Sequence, residues 1–256
     1  MAEEKAHAEL GASNSEIWIN CPGAPTLWRE APEKPESPYA VEGTKAHDLG
    51  EKWLTHYRDK TGAFIFPKNT PEDMKAAVGW WISEVKKAWT PGSHKDLVIE
   101  DTVYLRCVDP SGSMFGRIDT GIVEHFGTLE SIDYKHGRGV KVEVYKETAL
   151  GVKLLNTQLV YYALALAEKY DFNFRDVILK IIQPRCEQGQ KISAVRVSMK
   201  ELTSYIDLFK RAVERTQSKY AKRQAGPWCR FCKAKPICKE GQGKFRSDSR
   251  SDFEEL

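Results

Sequence analysis

Asp119, Asp133 and Lys135 are spaced in a way that can support phosphate chemistry. Asp133-Tyr134-Lys135 lies in a run that reads as a strand. Side chains on a strand alternate between faces, so the acid and the lysine share one surface while Ile132 and Tyr134 take the other. Asp119 falls on the preceding strand between Ile118 and Thr120, and a hairpin brings it beside that surface. Two converging carboxylates suit a hard divalent cation, Mg2+ or Mn2+. Such an ion lowers the pKa of bound water and stabilises charge on a scissile phosphate, with Lys135 placed to orient the water or neutralise the transition state. His47 and Glu51 share a helix face four residues apart, so His47 can supply a nitrogen to the metal. Gln158 and Tyr162 share a face of a later helix by the same spacing and can contact a phosphate backbone or support Lys135.

A second set of chemically capable residues lies at the two ends of the chain. Cys21 stands alone in Asn20-Cys21-Pro22-Gly23, whereas Cys229, Cys232 and Cys238 form a C-x2-C-x5-C run. One distant cysteine completing a local three suits a cluster or metal that ties the chain ends together, and a 4Fe-4S cluster is favoured with much of the weight coming from the family likeness described below. Four thiolates also make a closed tetrahedral zinc site, although zinc usually draws its ligands as two local pairs. Ligation would close a loop over most of the chain and, by analogy with a disulfide, contribute about 4–5 kcal/mol. Cys107 and Cys186 lack partners at ligand spacing and read as structural or free thiols.

The elements that must position these groups follow from periodicity and punctuation. Ser13–Asn20 reads as a short helix ending at Cys21, and Ala31–Pro38, with three prolines, as a loop. Helices are expected over Val41–Tyr57 and Pro71–Trp89, the second with Met74, Val78, Trp81, Val85 and Trp89 at core spacing. Strands are expected over Leu97–Val108, Gly116–Phe126 and Thr128–His136, with a tight turn at Phe126-Gly127-Thr128. A basic loop follows, in which Arg138 and Lys141 are candidate DNA contacts beside His136, Lys146 and Lys153. The pattern then gives a helix over Lys153–Tyr170, strands over Val177–Gln183 and Ile192–Val197, and a helix over Met199–Arg223. The expected organisation is one domain over 1–239 and a disordered polar tail over 240–256.

Composition narrows the class. The 256 residues, 41% hydrophobic, can bury one substantial core. The sequence has neither a long apolar run nor an apolar leader, so a cytoplasmic protein without a membrane span is expected. In a reducing compartment clustered cysteines point to metal and not to disulfides. A formal net charge of +3 is too small for general attraction to nucleic acid, so any contact with DNA must come from a local patch.

Singly, each signal has an ordinary explanation. A D-x-K is usually solvated charge, a lone histidine a hydrogen-bonded structural residue, and a Q-x3-Y a plain helix face. In combination they resemble a family. The series G-x3-H-x3-E from Gly43, G-R-I-D ending at Asp119, D-Y-K and Q-x3-Y, bracketed by one early and three late cysteines, is similar to the RecB-like branch of the PD-(D/E)XK nucleases. The likeness is strongest to the iron-sulfur members, including the CRISPR-associated nucleases and the AddB nuclease domain. Phrases such as Trp18-Ile19-Asn20-Cys21-Pro22-Gly23 and Cys229-Arg230-Phe231-Cys232 also resemble stand-alone members from phages and prophages.

The resemblance spans about Ser13–Lys239 and implies an α/β (α+β) fold: a central mixed sheet flanked by helices, with a restriction-endonuclease-like core. It implies His47, Asp119, Asp133 and the Tyr134 carbonyl as metal ligands, and Lys135 as the catalytic lysine. Gln158 and Tyr162 take the Q-x3-Y positions, and Cys21, Cys229, Cys232 and Cys238 the cluster positions. The stretch Gly137–Gly151 between the lysine strand and the Q-x3-Y helix departs from the family pattern by its length. The expected function is a metal-dependent DNA nuclease, an exonuclease processing DNA ends in phage recombination or replication. Single-stranded or open-ended DNA and a phage single-strand annealing or binding protein are its expected partners. The alternative is a DNA-binding or assembly factor on the same fold without catalysis. An iron-sulfur redox protein would leave Asp119, Asp133 and Lys135 unexplained.

Overall fold

The computed structural model describes residues 8–33, 35–147 and 153–243. Its central strands are β1 (Asp96–Tyr104), β2 (Phe115–Val123), β3 (Thr128–Tyr134), β6 (Asp176–Ile182) and β7 (Ile192–Ser198). They form a five-stranded mixed sheet in the order β1-β2-β3-β6-β7. β3 and β6 run parallel, and every other neighbouring pair is antiparallel. A separate two-stranded ribbon joins β4 (Tyr145–Glu147) to β5 (Lys153–Leu155). The central mixed sheet flanked by helices that the resemblance implies is the fold the chain adopts.

Two apolar layers cover the sheet. On one side lies α5 (Thr157–Lys169), whose residues from Leu159 through Ala167 are all buried, as expected of a helix apolar on every face. It begins where the Asn156 side chain accepts a hydrogen bond from the Gln158 N–H at 3.0 Å. Around it pack α1 (Ser15–Asn20), α2 (Ala24–Trp28), α6 (Met199–Thr203) and α7 (Tyr205–Gln217), so both ends of the chain share this core. On the other side α3 (Pro38–Arg58) and α4 (Glu72–Ala88) bury Leu54, Val78, Trp81 and Val85 against Ile122, Ile132, Tyr134 and Ile182.

Several boundaries differ from those expected, each for a local reason. α3 starts at Pro38 because Ser37 caps it, accepting from the Ala40 N–H at 3.1 Å, with proline at a position that needs no donor. β1 ends at Tyr104 because the Leu105 carbonyl accepts from the Val108 and Asp109 N–H groups, which places Cys107 in a turn and not on a strand. The hairpin turn spans Glu124–Gly127, closed by the Gly127 N–H on the Glu124 carbonyl at 2.9 Å, and Phe126 takes its positive φ of 62°. Lys153–Leu155 is strand and not helix, because it pairs with Tyr145–Glu147 before the Asn156 cap. The expected helix over Met199–Arg223 is two, broken at Ser204 and finished at Gln217. Residues 239–243 are helical, and the rest of the expected tail, 244–256, lies outside the described residues.

The α3–α4 contact depends on the absence of a side chain at Gly50, where an added Cβ would run into the Trp81 ring. Trp81 is fully buried and stacked on Tyr134 with centroids 4.6 Å apart, so it has no room to yield. Gly50→Ala is expected to destabilise the fold by about 1–3 kcal/mol despite its better helix propensity. Chemical denaturation checks this, and the midpoint should fall with the slope unchanged.

Candidate metal and nuclease site

The site forms where the pairing of β2 with β3 opens. The ladder runs to Thr120 opposite Ile132. Beyond that pair the Tyr134 N–H turns to the Asp119 carboxylate, donating to Oδ2 at 2.6 Å. Asp119 and Asp133 are thus both buried at one end of the two central strands. On the other side of β2, Ile99 faces Thr120 and Asp101 faces Ile118. Glu100 stands between these pairs with a left-handed φ of 43°. That conformation is unfavourable for a residue with a side chain, and such backbone outliers gather at functional sites.

α3 delivers His47 to this point. Its Nδ1 lies 2.9 Å from Glu100 Oε1 and 3.5 Å from Asp119 Oδ1. The ligand-capable atoms of His47, Glu100 and Asp119 all lie within 4.8 Å of one another. They are the one such group of three, cysteines included, among the described residues. One nitrogen and two carboxylates fit a hard or borderline divalent cation. Glu100 was not found by sequence reasoning, and the only available signal was an acid placed on the strand before G-R-I-D. Glu51 does not join the group. It pairs with Arg117 at 2.8 Å, and Arg117 in turn reaches Glu100 Oε2 at 2.9 Å.

Asp133, Lys135 and Gln158 form the adjoining half of the site. Lys135 Nζ is 2.9 Å from Asp133 Oδ2 and donates to Gln158 Oε1 at 3.2 Å, while Gln158 Nε2 donates to Asp133 Oδ1 at 3.1 Å. Gln158 is therefore a clamp on the acid and the lysine together. Tyr162, one turn further along α5, is buried against Gly116 of G-R-I-D, where a Cβ would come 2.8 Å from the ring. The Q-x3-Y face and the glycine of G-R-I-D thus fit each other.

The charges respond to this crowding. Burial pushes the Asp119 carboxyl up, Asp133 and Glu100 add to the rise, and His47 only partly counters it, leaving the pKa at about 7. Burial opposes charge on His47, but Asp119 and Glu100 outweigh it and raise the imidazole to about 9. Lys135 behaves alike: burial disfavours its charge, yet Asp133 and Asp119 hold it above its usual value. The crowded carboxylates seek positive charge, and without a metal they find it on His47 and Lys135.

The basic loop is engaged with acids. Arg138 pairs with Asp73, which Arg185 also contacts at 3.1 Å, and Lys141 pairs with Glu143 at 2.6 Å. His136 is buried, and burial followed by the Arg185 charge lowers its pKa to about 4. The ring is therefore neutral at pH 7. Its Nε2 accepts from Arg185, so Nδ1 carries the hydrogen donated to the Tyr134 hydroxyl at 2.7 Å.

The four cysteines at the chain ends line one cavity together with Ile17, Leu27 and Trp228. Each sulfur accepts an N–H hydrogen bond: Cys21 from Gln224, Cys229 from Gly226 and Cys238 from Gly241 through the backbone, and Cys232 from the Trp28 indole, at 3.3–3.4 Å. Thiols are weak acceptors, and such donors suit thiolates held as ligands. Burial raises the Cys21 thiol, with the Gln224 N–H opposing the rise.

The family described as a protein of unknown function, DUF2800, matches residues 7–256. No curated protein matches the chain. Among solved structures the chain is similar to a candidate exonuclease from Eubacterium rectale, at 8% identity and a TM-score of 0.49, covering 84% of this chain and 85% of that one. It is also similar to the protein SSO0001, at 16% identity and a TM-score of 0.34, covering 88% and 95%.

A cation at His47, Glu100 and Asp119 must displace protons. Asp119 loses its proton through about 7 and His47 through about 9, so Mn2+ affinity should rise across pH 6–9 with release of protons. The metal-free fold is expected to follow the opposite trend: stability from the His47 charge is full below 6.5 and lost as pH passes about 9. Titration calorimetry in buffers of different ionisation enthalpy measures the release. Glu100→Gln removes a ligand carboxylate and is expected to weaken Mn2+ binding by at least the roughly tenfold that loss of an outer supporting carboxylate costs.

Proposed function

We propose that this chain, which belongs to the DUF2800 family of proteins of unknown function, is a divalent-metal-dependent deoxyribonuclease acting as an exonuclease on DNA ends. The observation that carries the reading is the joint placement of Asp119, Asp133, Lys135 and Gln158 beside His47 and Glu100 in one partly buried, cation-seeking cluster. Bound Mg2+ or Mn2+ supplies an activated water and neutralises charge on the phosphate. Lys135, held between Asp133 and Gln158, stays protonated and positions its ammonium against charge developing on the phosphoryl oxygens. Asp119, fixed by the Tyr134 N–H, would hold the ion together with His47 and Glu100, whose mutual hydrogen bond in the metal-free site would give way to it. Tyr162 is kept neutral by burial and the nearby Asp119 and Asp133 charges, and it packs behind Gln158 to hold it in place. A role in phage recombination or replication, with a single-strand annealing or binding protein as partner, rests on the sequence resemblance.

Cys21, Cys229, Cys232 and Cys238 are read as the ligands of a 4Fe-4S cluster that ties the chain ends together. Supporting this are the one-plus-three arrangement, the shared cavity and a hydrogen-bond donor on every sulfur. No helix of the described residues is long and apolar enough to cross a membrane.

Purified protein with Mn2+ or Mg2+ is expected to degrade end-labelled linear DNA and spare closed circles. Asp119→Ala and Lys135→Ala should each lower the rate by roughly 100-fold or more while DNA binding persists. Cleavage unaffected by Asp119→Ala, or none on any DNA, would leave a DNA-binding or assembly factor instead. Anaerobically purified protein should be brown with about four irons per chain. Cys21→Ala should lose colour and melt at a lower temperature, whereas zinc in place of iron would overturn the cluster.

A further inference from the structure

The segment 219–239 contains seven lysines and arginines and no aspartate or glutamate, in a chain whose overall charge is only +3. It folds as one lobe over Cys21, with the Gly23 N–H donating to the Lys222 carbonyl at 3.0 Å and the Trp28 indole donating to Cys232. Two large aromatic side chains stand out from it, Tyr220 at 76% exposure and Phe231 at 69%. Each has a cation against its face: Lys219 Nζ lies 4.9 Å from the Tyr220 centroid and Arg230 Cζ 5.6 Å from that of Phe231. Beside the metal site and the basic loop, Lys135, Arg138 and Arg185 are occupied by acids, and within the lobe Arg223 reaches Glu240 at 3.9 Å, whereas Lys219 and Arg230 lie against the two rings.

Solvation alone explains the charge, but it gives no reason to hold two rings in water. Cations interleaved with exposed rings match a single nucleic-acid strand, whose phosphates seek the charge and whose bases have π-faces to stack. We propose that this C-terminal lobe is a binding surface for single-stranded DNA, with Lys219 and Arg230 on phosphates and Tyr220 and Phe231 under bases. The choice of DNA over another nucleic acid rests on the nuclease reading. Its place in the fold gives the cysteine lobe a role in holding substrate as well as in closing the chain.

Fluorescence anisotropy of the full chain with labelled oligothymidylate, without divalent cation and over a salt series, tests this. Tyr220→Ala with Phe231→Ala should weaken binding roughly tenfold or more with the salt slope unchanged, as expected when stacking is removed. Lys219→Ala with Arg230→Ala should weaken binding and lower the slope by about 0.7 for each phosphate that is no longer neutralised. A charge-matched control, Lys75→Ala with Lys169→Ala, should alter neither. The four lobe side chains and Lys169 lie at the surface and Lys75 is half-buried, and an unchanged melting temperature and metal content would show that the fold is intact. The proposal is overturned if the lobe variants bind as the parent does, if the control loses as much, or if the lobe binds anionic vesicles and not oligothymidylate. Asp119→Ala separates the two readings: normal binding without cleavage supports both, whereas cleavage undiminished by Asp119→Ala sinks the nuclease and leaves the binding surface standing.

Discussion

The organising constraint is the crowding of three carboxylates, Asp119, Asp133 and Glu100, where the central strands part. Buried negative charges repel one another and lose hydration, so such a group persists only if cations and donors surround it. The fold supplies them from different elements. α3 brings His47, β3 brings Lys135 and the Tyr134 N–H, α5 brings Gln158, and Arg117 on β2 covers Glu100. Each of these elements is also a wall of an apolar layer, so the helices that fill the core also fix the charges.

That coupling explains two packing features. Trp81 sits between Gly50 and Tyr134, fully buried and stacked on the Tyr134 ring, while His47 meets the same ring edge-on at 5.4 Å. The aromatic stack therefore sets the height of α3 over the sheet and with it the reach of His47. On the opposite face Tyr162 occupies the space above Gly116, and Leu166 that above Gly121, which seats α5 with Gln158 over Asp133. The chain ends complete the same layer, since α1 and α2 pack beside α5 and meet the C-terminal cysteine segment.

Much of the site was legible because it follows the two simplest periodicities. Alternation along one strand put Asp133 and Lys135 together, and spacing of four put Gln158 with Tyr162. Glu100 was hidden because its position depends on a left-handed kink that interrupts alternation within β1, and no residue type announces such a kink. Glu51 was misleading for the opposite reason: helix spacing put it on the His47 face, but Arg117 claims its carboxylate. The short strand at Lys153–Leu155 was missed because three residues carry no readable alternation, and only the Asn156 cap separates it from α5. The sheet order, with β6 placed beside β3, depends on long-range pairing that local pattern does not encode.

The central claim is that the carboxylate crowd is a divalent-cation site built from His47, Glu100 and Asp119. The most direct measurement is an anomalous difference map at the manganese edge from crystals grown with Mn2+. The account predicts a peak within coordination distance of the His47 nitrogen and the Glu100 and Asp119 oxygens, with Lys135 turned toward the open side. A map with manganese elsewhere, or with this pocket still closed by the His47 to Glu100 hydrogen bond at saturating Mn2+, would contradict it.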